Sequence, residues 1–560
     1  MRECTYVTKV STGIGRSAGN EFARSALGKY SVYENEKVII YGFNLKGAAR
    51  SAKINGTSVT PVLNVDSLEI PIGTTATSGK LEISIGATNE TLIPVLNNLN
   101  HNPTFDTDGQ TITGYEYNSQ ANGKNNNRLN DDVEFVIWNM GKFVNSTNIT
   151  SPMMKMDASS NWYMSYGNGV PSMYVNKNGT TTQVDYSYNM FQNTNVAFDS
   201  SGNIYAVATN TDRVNNKSAR YVFYTGKSND YSGTDSYNYT YSDNYKHHLE
   251  QVYNGTTGVY DINRVQRPKM FITGARTTAN PAKIYMSYFD ANNTINPVKF
   301  RYGTSNAANN ATGGVAGSVN GDTGQSNNPS TTDSSYKDYH IVASDNTTYK
   351  GGAYSAVGAT SSGTAVVAWY DASERRLIYS YNTTPETSVV GGVWQTNAIV
   401  IDNDYAGWYV DMIVDEDDGI HIAYYNSAKG DLKYAYLSSY NDTTPEVVTV
   451  DSYLSAGTNI TINTRKENGK CVPYISYFYS SFTQTPNSVR IAWQNDMSGK
   501  KNGAEDDKYT GAWECMTIPT QNIPSDATIC NGVPTSGAYG GTQVLGYMSD
   551  AGYERAYIKY

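Results

Sequence analysis

Acidic and basic side chains recur as spaced pairs along this chain, and they are the first candidates for a binding surface. The acid ends one aromatic run and the base opens the next, as in Asp290 with Lys299, Asp371 with Arg376, and Asp550 with Arg555. The corresponding residues of two further copies are Asn426 with Lys433, and Arg490. Both charge signs on one face would suit a glycan or a protein loop. The alternative is a set of hairpin salt bridges, each contributing less than ~1 kcal/mol when exposed.

A tyrosine-rich stretch is the second candidate. YNYTYSDNYKHH at 237–248 places Tyr237, Tyr239 and Tyr241 on one side of any strand, because successive side chains point to opposite faces. Tyrosine offers rigid amphipathic contact area to sugars and to protein partners. Packing of these rings against a loop is the alternative, and His247 and His248 at the end of the stretch are predicted to lie in a solvated loop.

The sequence contains no motif for nucleophilic, phosphate-loop or zinc-protease chemistry. Cys/His metal spacing is also absent, so we predict no cofactor. DTDG at 106–109 is a candidate calcium loop, but it lacks the further ligands and the terminal Glu of an EF-hand. Cys515 and Cys530 are close enough in sequence to form a disulfide, with free thiols as the alternative.

These candidate residues sit in a repeated pair of strands. An apolar run with a small residue in its middle begins at seven places, Trp162, Ile204, Ile284, Val366, His421, Tyr474 and Leu545. A second run follows each one and usually opens with a base. Seven repeats of about four short strands predict a seven-bladed β-propeller over 132–560. Six blades with an accessory hairpin are the alternative.

The last repeat ends on its third strand, ERAYIKY, and leaves no residues for a fourth. A free strand edge invites aggregation. VEFVIW at 133–138 precedes the first repeat and is a strong strand candidate. We therefore predict that this N-terminal strand closes the last blade.

The segment 29–95 has the pattern of a small β-sandwich. It contains a strand that ends in GFNL, a hairpin in SAKINGTSV with an Asn55-Gly56 turn, and alternating strands in SLEIPIG and KLEISIG. On these features it resembles the IPT/TIG-type immunoglobulin-like domain. That resemblance implies a spacer or interaction module of an extracellular protein. Residues 1–28 form a lead-in without a clear period, and 96–131 form a polar connector.

Composition excludes several function classes. Tyr is present 48 times against 13 Phe and 7 Trp, and charged residues make up only 17%, which favours an all-β protein with polar loops. A net charge of −9 argues against nucleic-acid binding, and no apolar run is long enough to span a membrane.

The sequence therefore predicts an all-β, secreted or surface protein whose work is non-catalytic binding or adhesion to a glycan or a surface protein. Two alternatives remain open. One is a carbohydrate-active propeller enzyme, such as a sialidase-like hydrolase or a lyase. The other is a self-assembling structural subunit of a surface filament or layer.

Overall fold

The computed structural model of this chain describes residues 6–12, 30–43, 50–64, 67–85, 91–92, 134–145, 149–168, 170–186, 190–211, 219–224, 246–248, 252–254, 259–261, 265–275, 282–290, 298–305, 339–340, 351–385, 394–395, 398–452, 455–467, 469–481, 484–494, 513–519, 523, 528–549 and 552–559. Within these ranges the regular structure is β-strand, apart from a 3-10 helix at Gly537–Tyr539. The predicted all-β class is confirmed.

The N-terminal part contributes ten strands: β1 Tyr6–Thr12, β2 Tyr30–Tyr33, β3 Lys37–Phe43, β4 Arg50–Ile54, β5 Thr57–Val59, β6 Val62–Leu63, β7 Ser67–Pro71, β8 Gly79–Ile85, β9 Thr91–Leu92 and β10 Glu134–Val144. One antiparallel sheet has the order β1-β3-β7-β6, and β5, β4, β8 and β9 pair in a second group. Asn55 and Gly56 have φ of 47° and 77°, as the Asn-Gly hairpin turn requires. β1 lies within 1–28, where the sequence shows no period, and pairs with β3.

Six four-stranded antiparallel sheets follow, each with its strands in chain order. We number them sheets 1 to 6. Sheet 1 contains β11 Thr150–Met156, β12 Trp162–Asn168, β13 Val170–Lys177 and β14 Thr180–Tyr186, and sheet 2 contains β15 Met190–Phe198, β16 Ile204–Thr211, β17 Ala219–Tyr224 and β18 Lys246–His248. A hairpin of β19 Val252–Asn254 and β20 Val259–Asp261 follows, then sheet 3 with β21 Val265–Thr273, β22 Ala282–Asp290, β23 Val298–Ser305 and β24 Tyr339–His340, and sheet 4 with β25 Gly351–Ala359, β26 Ala365–Asp371, β27 Arg376–Asn382 and β28 Ile399–Asp402. Sheet 5 contains β29 Ala406–Val414, β30 Ile420–Asn426, β31 Asp431–Leu437 and β32 Glu446–Asp451, and sheet 6 contains β33 Ser455–Glu467, β34 Lys470–Ser481, β35 Gln484–Gln494 and β36 Trp513–Pro519. His247 and His248, predicted in a loop, belong to β18, the outer strand of sheet 2, which pairs with β17.

Sheet 7 draws its fourth strand from far upstream. It contains β37 Ile529–Gly532, β38 Val544–Ser549 and β39 Gly552–Lys559. β10 pairs antiparallel with β39, and Trp138 lies opposite Ile558. The other edge of β10 pairs with β2 over Phe135–Trp138, so an N-terminal strand covers it, and β8 pairs with Glu134 and Phe135 at the start of β10.

Sheets 1 to 7 follow one another in a closed cycle. The first strand of each sheet contacts the first strand of the next, and β37 contacts both β33 and β11. Apolar clusters fill the junctions between sheets. At the junction of sheets 7 and 1, Trp162 and Met164 pack with Val544 and Tyr553. Each second strand is therefore covered on both faces, which explains its nearly continuous apolar and aromatic sequence.

The two ends of the sheets differ in their connections. Turns between first and second strands lie at one end, which we call the turn face. Hairpins between second and third strands, and the links from each fourth strand to the next first strand, lie at the other end, which we call the hairpin face. Asp415 exemplifies the turn face, where its Oδ1 accepts hydrogen bonds from the backbone N–H groups of Asp417 and Gly419, both at 2.8 Å.

Candidate functional site on the hairpin face

Among the predicted acid–base pairs, Asp371 with Arg376 lies on the hairpin face and forms a bridge across its hairpin. Arg376 Nε lies 3.0 Å from Asp371 Oδ2, and the two residues are directly opposite in register. The Asp371 side chain is fully buried, and its Oδ1 also accepts hydrogen bonds from Ser373. This pair stabilises the hairpin turn and is not available to a ligand.

Lys433 and Arg490 each bind an acid that lies outside their own hairpin. Lys433 Nζ pairs with Asp402 Oδ2, which also accepts a hydrogen bond from Tyr424 at 2.8 Å. Asp402 comes from the last strand of the preceding sheet, so this base joins two sheets. The hairpin interpretation is wrong for these bases because the acid that each of them binds comes from the preceding sheet.

Arg490 repeats the arrangement at the next junction. Its Nη1 lies 3.0 Å from Asp451 Oδ2, and Tyr477 donates to the same carboxylate oxygen at 2.6 Å. Asp451 ends β32, as Asp402 ends β28. In each case the base lies opposite the tyrosine in register.

Asn426 and Arg555 are also held by internal hydrogen bonds. Asn426 Oδ1 accepts from the N–H groups of Ala428 and Lys429, both at 3.0 Å, and its Nδ2 donates to the Asp404 carbonyl at 2.6 Å. Arg555 donates to the Tyr539 hydroxyl at 2.9 Å and to Asn139 Oδ1 at 3.2 Å. Both side chains stabilise turns or sheet junctions.

The remaining predicted residues divide into two groups. Lys299 is buried and lies opposite Tyr288, as the other bases lie opposite their tyrosines. The side chain of Asp290 and the whole of Asp550, Tyr237, Tyr239 and Tyr241 lie outside the described residues.

A cluster of aromatic rings and one arginine forms a different site at the starts of the first strands. We call it the axial mouth and define it as Arg267, Tyr354, Trp408 and Tyr409. The Arg267 guanidinium lies 4.0 Å from the Tyr354 ring centroid and 5.8 Å from that of Tyr409. The Tyr354 ring stacks on Trp408 with centroids 5.9 Å apart, and 36% of Trp408 is exposed. The mouth thus presents an open aromatic surface beside a cation.

Arg267 shows that the mouth lies over the centre of the cycle. It belongs to sheet 3, Tyr354 to sheet 4, and Tyr409 to sheet 5. Sheets 3 and 5 are not neighbours, so a contact between their first strands must cross the space that those strands enclose.

Backbone bulges place the mouth residues there. The registers of β21 and β29 with their partners shift at Arg267 and Tyr409, whose φ values are 48° and 51°. A bulky residue in this left-handed region is costly, on the order of 1–3 kcal/mol, and such strain concentrates at binding sites. Ser151 and Asn459, with φ of 45° and 49°, occupy the equivalent bulges of sheets 1 and 6.

Beneath the mouth, charged side chains meet inside the ring of first strands. We call this group, Lys155, Lys269 and Asp411, the axial well. Lys269 Nζ lies 2.9 Å from Asp411 Oδ1, while Asp411 Oδ2 accepts from the Ile462 N–H at 3.1 Å. Lys155 Nζ donates to the Met270 carbonyl at 3.4 Å. These contacts join sheets 1, 3, 5 and 6, so they also cross the axis.

Electrostatics distinguish the two groups. Burial raises the pKa of Tyr409 to about 12, and the nearby Tyr354 adds to the rise while Arg267 opposes it. The Tyr409 phenol therefore stays protonated and suits hydrogen bonding. Burial lowers the pKa of Lys155, Asp411 opposes that shift, and the neighbouring Lys269 adds to it.

Comparisons with known proteins give distant structural likenesses. No protein-family model matches the chain, and no curated protein sequence matches it. Solved structures similar to it include an intramolecular trans-sialidase from Ruminococcus gnavus, with a TM-score of 0.36, 11% identity, and coverage of 74% of this chain and 95% of that one. An auxiliary nutrient binding protein from Bacteroides thetaiotaomicron has a TM-score of 0.34 and 7% identity over 100% and 99% of the two chains. The Aleuria aurantia lectin has a TM-score of 0.34 and 12% identity over 66% and 96%. Likeness at this level carries no inference about ligand or activity.

Of the two alternatives for the cysteine pair, the structure has the free thiols and not the disulfide. Cys515 and Cys530 are buried free thiols in sheets 6 and 7. Cys515 contacts the Val450 carbonyl at 3.4 Å, and Cys530 contacts the Tyr553 hydroxyl at 2.9 Å. Each sulfur thus has its own partner at a different junction. Burial raises the pKa of Cys530 to about 12.

Metal ligands and membrane helices can be assessed only where the chain is described. In those segments no group of three or more His, Cys, Asp or Glu side chains is arranged to hold a metal ion. The calcium candidate at 106–109 lies outside them. The described residues also contain no helix long and apolar enough to cross a membrane.

Sequence reasoning missed the mouth and the well because both lie on first strands. Those strands lack a shared period, since a bulge interrupts each of the described ones that carry these residues. The available signals were local: Ser151-Pro152 and Arg267-Pro268 each put a proline at the bulge, and Tyr409 stands two residues before an acid.

Proposed function

We propose that this chain is a seven-bladed β-propeller protein that binds glycans at the axial mouth without cleaving them. The proposed domains are a lead-in at 1–28, an IPT/TIG-type module at 29–95, a connector at 96–131, and the propeller at 132–560. The closed cycle of seven sheets supports the propeller, and the use of β10 as the fourth strand of sheet 7 supports closure from the N-terminal side.

The single observation that carries the function is the stack of Trp408 on Tyr354 beside Arg267. A sugar ring has an apolar C–H face bordered by hydroxyl groups. Exposed aromatic rings can pack on that face, and the tyrosine hydroxyls and guanidinium N–H groups can bind the hydroxyls. Because the four residues come from three different sheets, their arrangement is fixed by the packed ring rather than by one mobile loop.

The chemistry of the mouth favours binding over hydrolysis. Most glycosidases act with two carboxyl groups on either side of the scissile bond. Asp411 is the carboxylate of the well, and it is engaged by Lys269 and by the Ile462 N–H. Tyr409 would serve poorly as a nucleophile because its pKa is raised to about 12. The proposal includes a secreted or cell-surface location, where a glycan-binding face meets polymeric glycans.

A glycan array and a hydrolysis screen on the same purified protein test this proposal. We expect binding to a subset of glycans with no release of sugar during prolonged incubation. Release of reducing sugar at an enzymatic rate would overturn the non-catalytic assignment, and absence of any glycan binding would overturn the proposal as a whole.

A further inference from the structure

The axial well holds more positive than negative charge on partly buried side chains. Lys269 is paired with Asp411, and Lys155 lies close enough to both for their charges to affect its pKa. Arg267 adds a third cation at the mouth. The residues that define the mouth and the well therefore include three basic side chains and one carboxylate.

Donor groups in the well are suited to an anion. An ammonium group has three N–H donors, and the hydrogen bond of Lys155 to the Met270 carbonyl accounts for one of them. Hydrogen bonds from ammonium groups to carboxylate or sulfate oxygens are roughly twice as strong as neutral ones. The burial that lowers the pKa of Lys155 also strengthens the attraction between its ammonium group and a nearby negative charge.

The mouth and the well are continuous along two strands. Arg267 and Lys269 are two residues apart on β21, and Tyr409 and Asp411 are two residues apart on β29. Two residues span at most roughly 7 Å, and the bulge at each of these positions makes the distance shorter. A sugar ring packed on Trp408 and Tyr354 would thus have one of its substituents within reach of the lysine amines.

We propose that the axial well binds the carboxylate or sulfate substituent of an acidic sugar whose ring packs at the axial mouth. This inference rests on the proposed function and names its ligand class. Arg267 contacts the ring and the anion at the boundary, while Lys155 and Lys269 supply the donors within the well. Asp411 holds Lys269 in place and limits the net charge.

The test compares acidic glycans with their neutral counterparts. Wild-type protein, Lys155→Met and Lys155→Gln are applied to an array that contains uronate-, sialate- and sulfate-bearing glycans together with carboxyl-reduced or desulfated forms of each. Lys177→Met is the control, because Lys177 lies at the turn face over the Tyr163 ring. The carboxylate and sulfate arms distinguish the two sources of negative charge.

We expect the wild-type protein to prefer acidic forms. Both Lys155 variants should lose about 10-fold or more in affinity for them, as for loss of a charged hydrogen bond, while their affinity for neutral forms changes less than about 2-fold. The control should keep the preference. Equal binding of acidic and neutral forms by the wild-type protein, or equal losses for both forms in the variants, would overturn the proposal.

A second measurement separates this inference from the proposed function. Sodium sulfate raises the Tm of many proteins without binding to a site, and that effect should be the same for all variants. A site adds a saturable increment, which we expect for the wild type and Lys177→Met but not for Lys155→Met or Lys155→Gln. If no glycan binds but this difference persists, the proposed function fails and the anion site stands. If the four proteins respond identically to sulfate, the anion site is disproved.

Discussion

At the scale of single residues, an acid, a tyrosine and a base recur as a buried group at two sheet junctions. Asp402 with Tyr424 and Lys433, and Asp451 with Tyr477 and Arg490, have the same contacts. The acid ends one sheet and the other two residues belong to the next. These groups join neighbouring sheets by charge as well as by apolar packing.

Removal of the acid from one group should be more damaging than removal of the tyrosine hydroxyl. Asp451→Ala leaves the Arg490 guanidinium buried without its carboxylate, and we expect a loss of about 3–5 kcal/mol in the free energy of unfolding. Tyr477→Phe deletes one hydrogen bond and should lose about 1–2 kcal/mol. Denaturant unfolding of both variants measures the difference. Equal losses would show that the carboxylate does not stabilise the arginine.

A second residue-scale prediction concerns pH. Asp415 Oδ2 lies 2.8 Å from His421 Nε2. Burial acts to raise the pKa of Asp415, but the hydrogen bond and charge of His421 and the backbone N–H groups of Gly419 and Asp417 outweigh burial, so its pKa lies below 3.8. A lowered folded-state pKa means that the stabilisation is present above pH 3.8 and is lost as pH falls through the folded-state value.

Thermal unfolding of wild type and Asp415→Asn between pH 6 and pH 2.5 checks this prediction. We expect the wild type to have the higher Tm from pH 6 down to about pH 4, with a gap that narrows below pH 3.8. A gap that stays constant across the range would contradict the lowered pKa.

At the scale of elements, the hairpins between the second and third strands of sheets 4 and 5 share a left-handed residue just before the third strand. It is Arg375 in sheet 4, with φ of 57°, and Gly430 in sheet 5, with φ of 80°. Glycine takes this conformation without a steric penalty, whereas other residues lose roughly 1–2 kcal/mol.

We expect Arg375→Gly to be more stable than Arg375→Ala by about 1 kcal/mol. Both variants lose the contact of the guanidinium with Tyr405, whose hydroxyl accepts a hydrogen bond from Arg375 at 2.9 Å. Their difference therefore isolates the backbone term. Denaturant midpoints of the two variants give the measurement, and identical stabilities would show that this hairpin is not strained.

How well each element can be predicted follows from its surroundings. The second strands, such as β22 over 284–288, are covered on both faces and carry a recognisable apolar and aromatic pattern. First strands are interrupted by bulges, as at Arg267, and their pattern disappears.

The pair Asp371–Arg376 was predictable because its residues are five apart and opposite in one hairpin. Lys433 was assigned to its hairpin, but its acid is 31 residues away in the preceding sheet. The mouth could not be predicted, because it exists only when three sheets are packed around one axis.

At the scale of the whole molecule, β10 joins two parts of the chain. One edge pairs with β39 and completes sheet 7, while the other pairs with β2, and β8 pairs with the first two residues of β10. Trp138 on this strand is fully buried among residues of sheets 6 and 7, including Val472 and Leu545. The N-terminal strands thus cover an edge that would otherwise be open to pairing with another chain.

A disulfide across the junction tests whether this closure limits unfolding. Met140 and Ala556 lie opposite each other on β10 and β39. We expect the double variant Met140→Cys and Ala556→Cys to cross-link on oxidation and to gain on the order of 2–4 kcal/mol, with the gain removed by reductant. Each single variant is a control for the buried native thiols. Failure to cross-link, or a Tm that is independent of oxidation, would contradict closure by β10.

The most direct measurement for the central claim is calorimetric titration of a glycan identified on the array into Trp408→Ala and its matched control Tyr381→Ala. Tyr381 is a partly buried ring that packs on Tyr440 at the turn face, away from the axial mouth. We predict that Trp408→Ala weakens binding by about 10-fold or more, as for an aromatic residue at the centre of an interface, and that Tyr381→Ala leaves the Kd within about 2-fold of wild type. Unchanged affinity in Trp408→Ala would contradict glycan binding at the axial mouth.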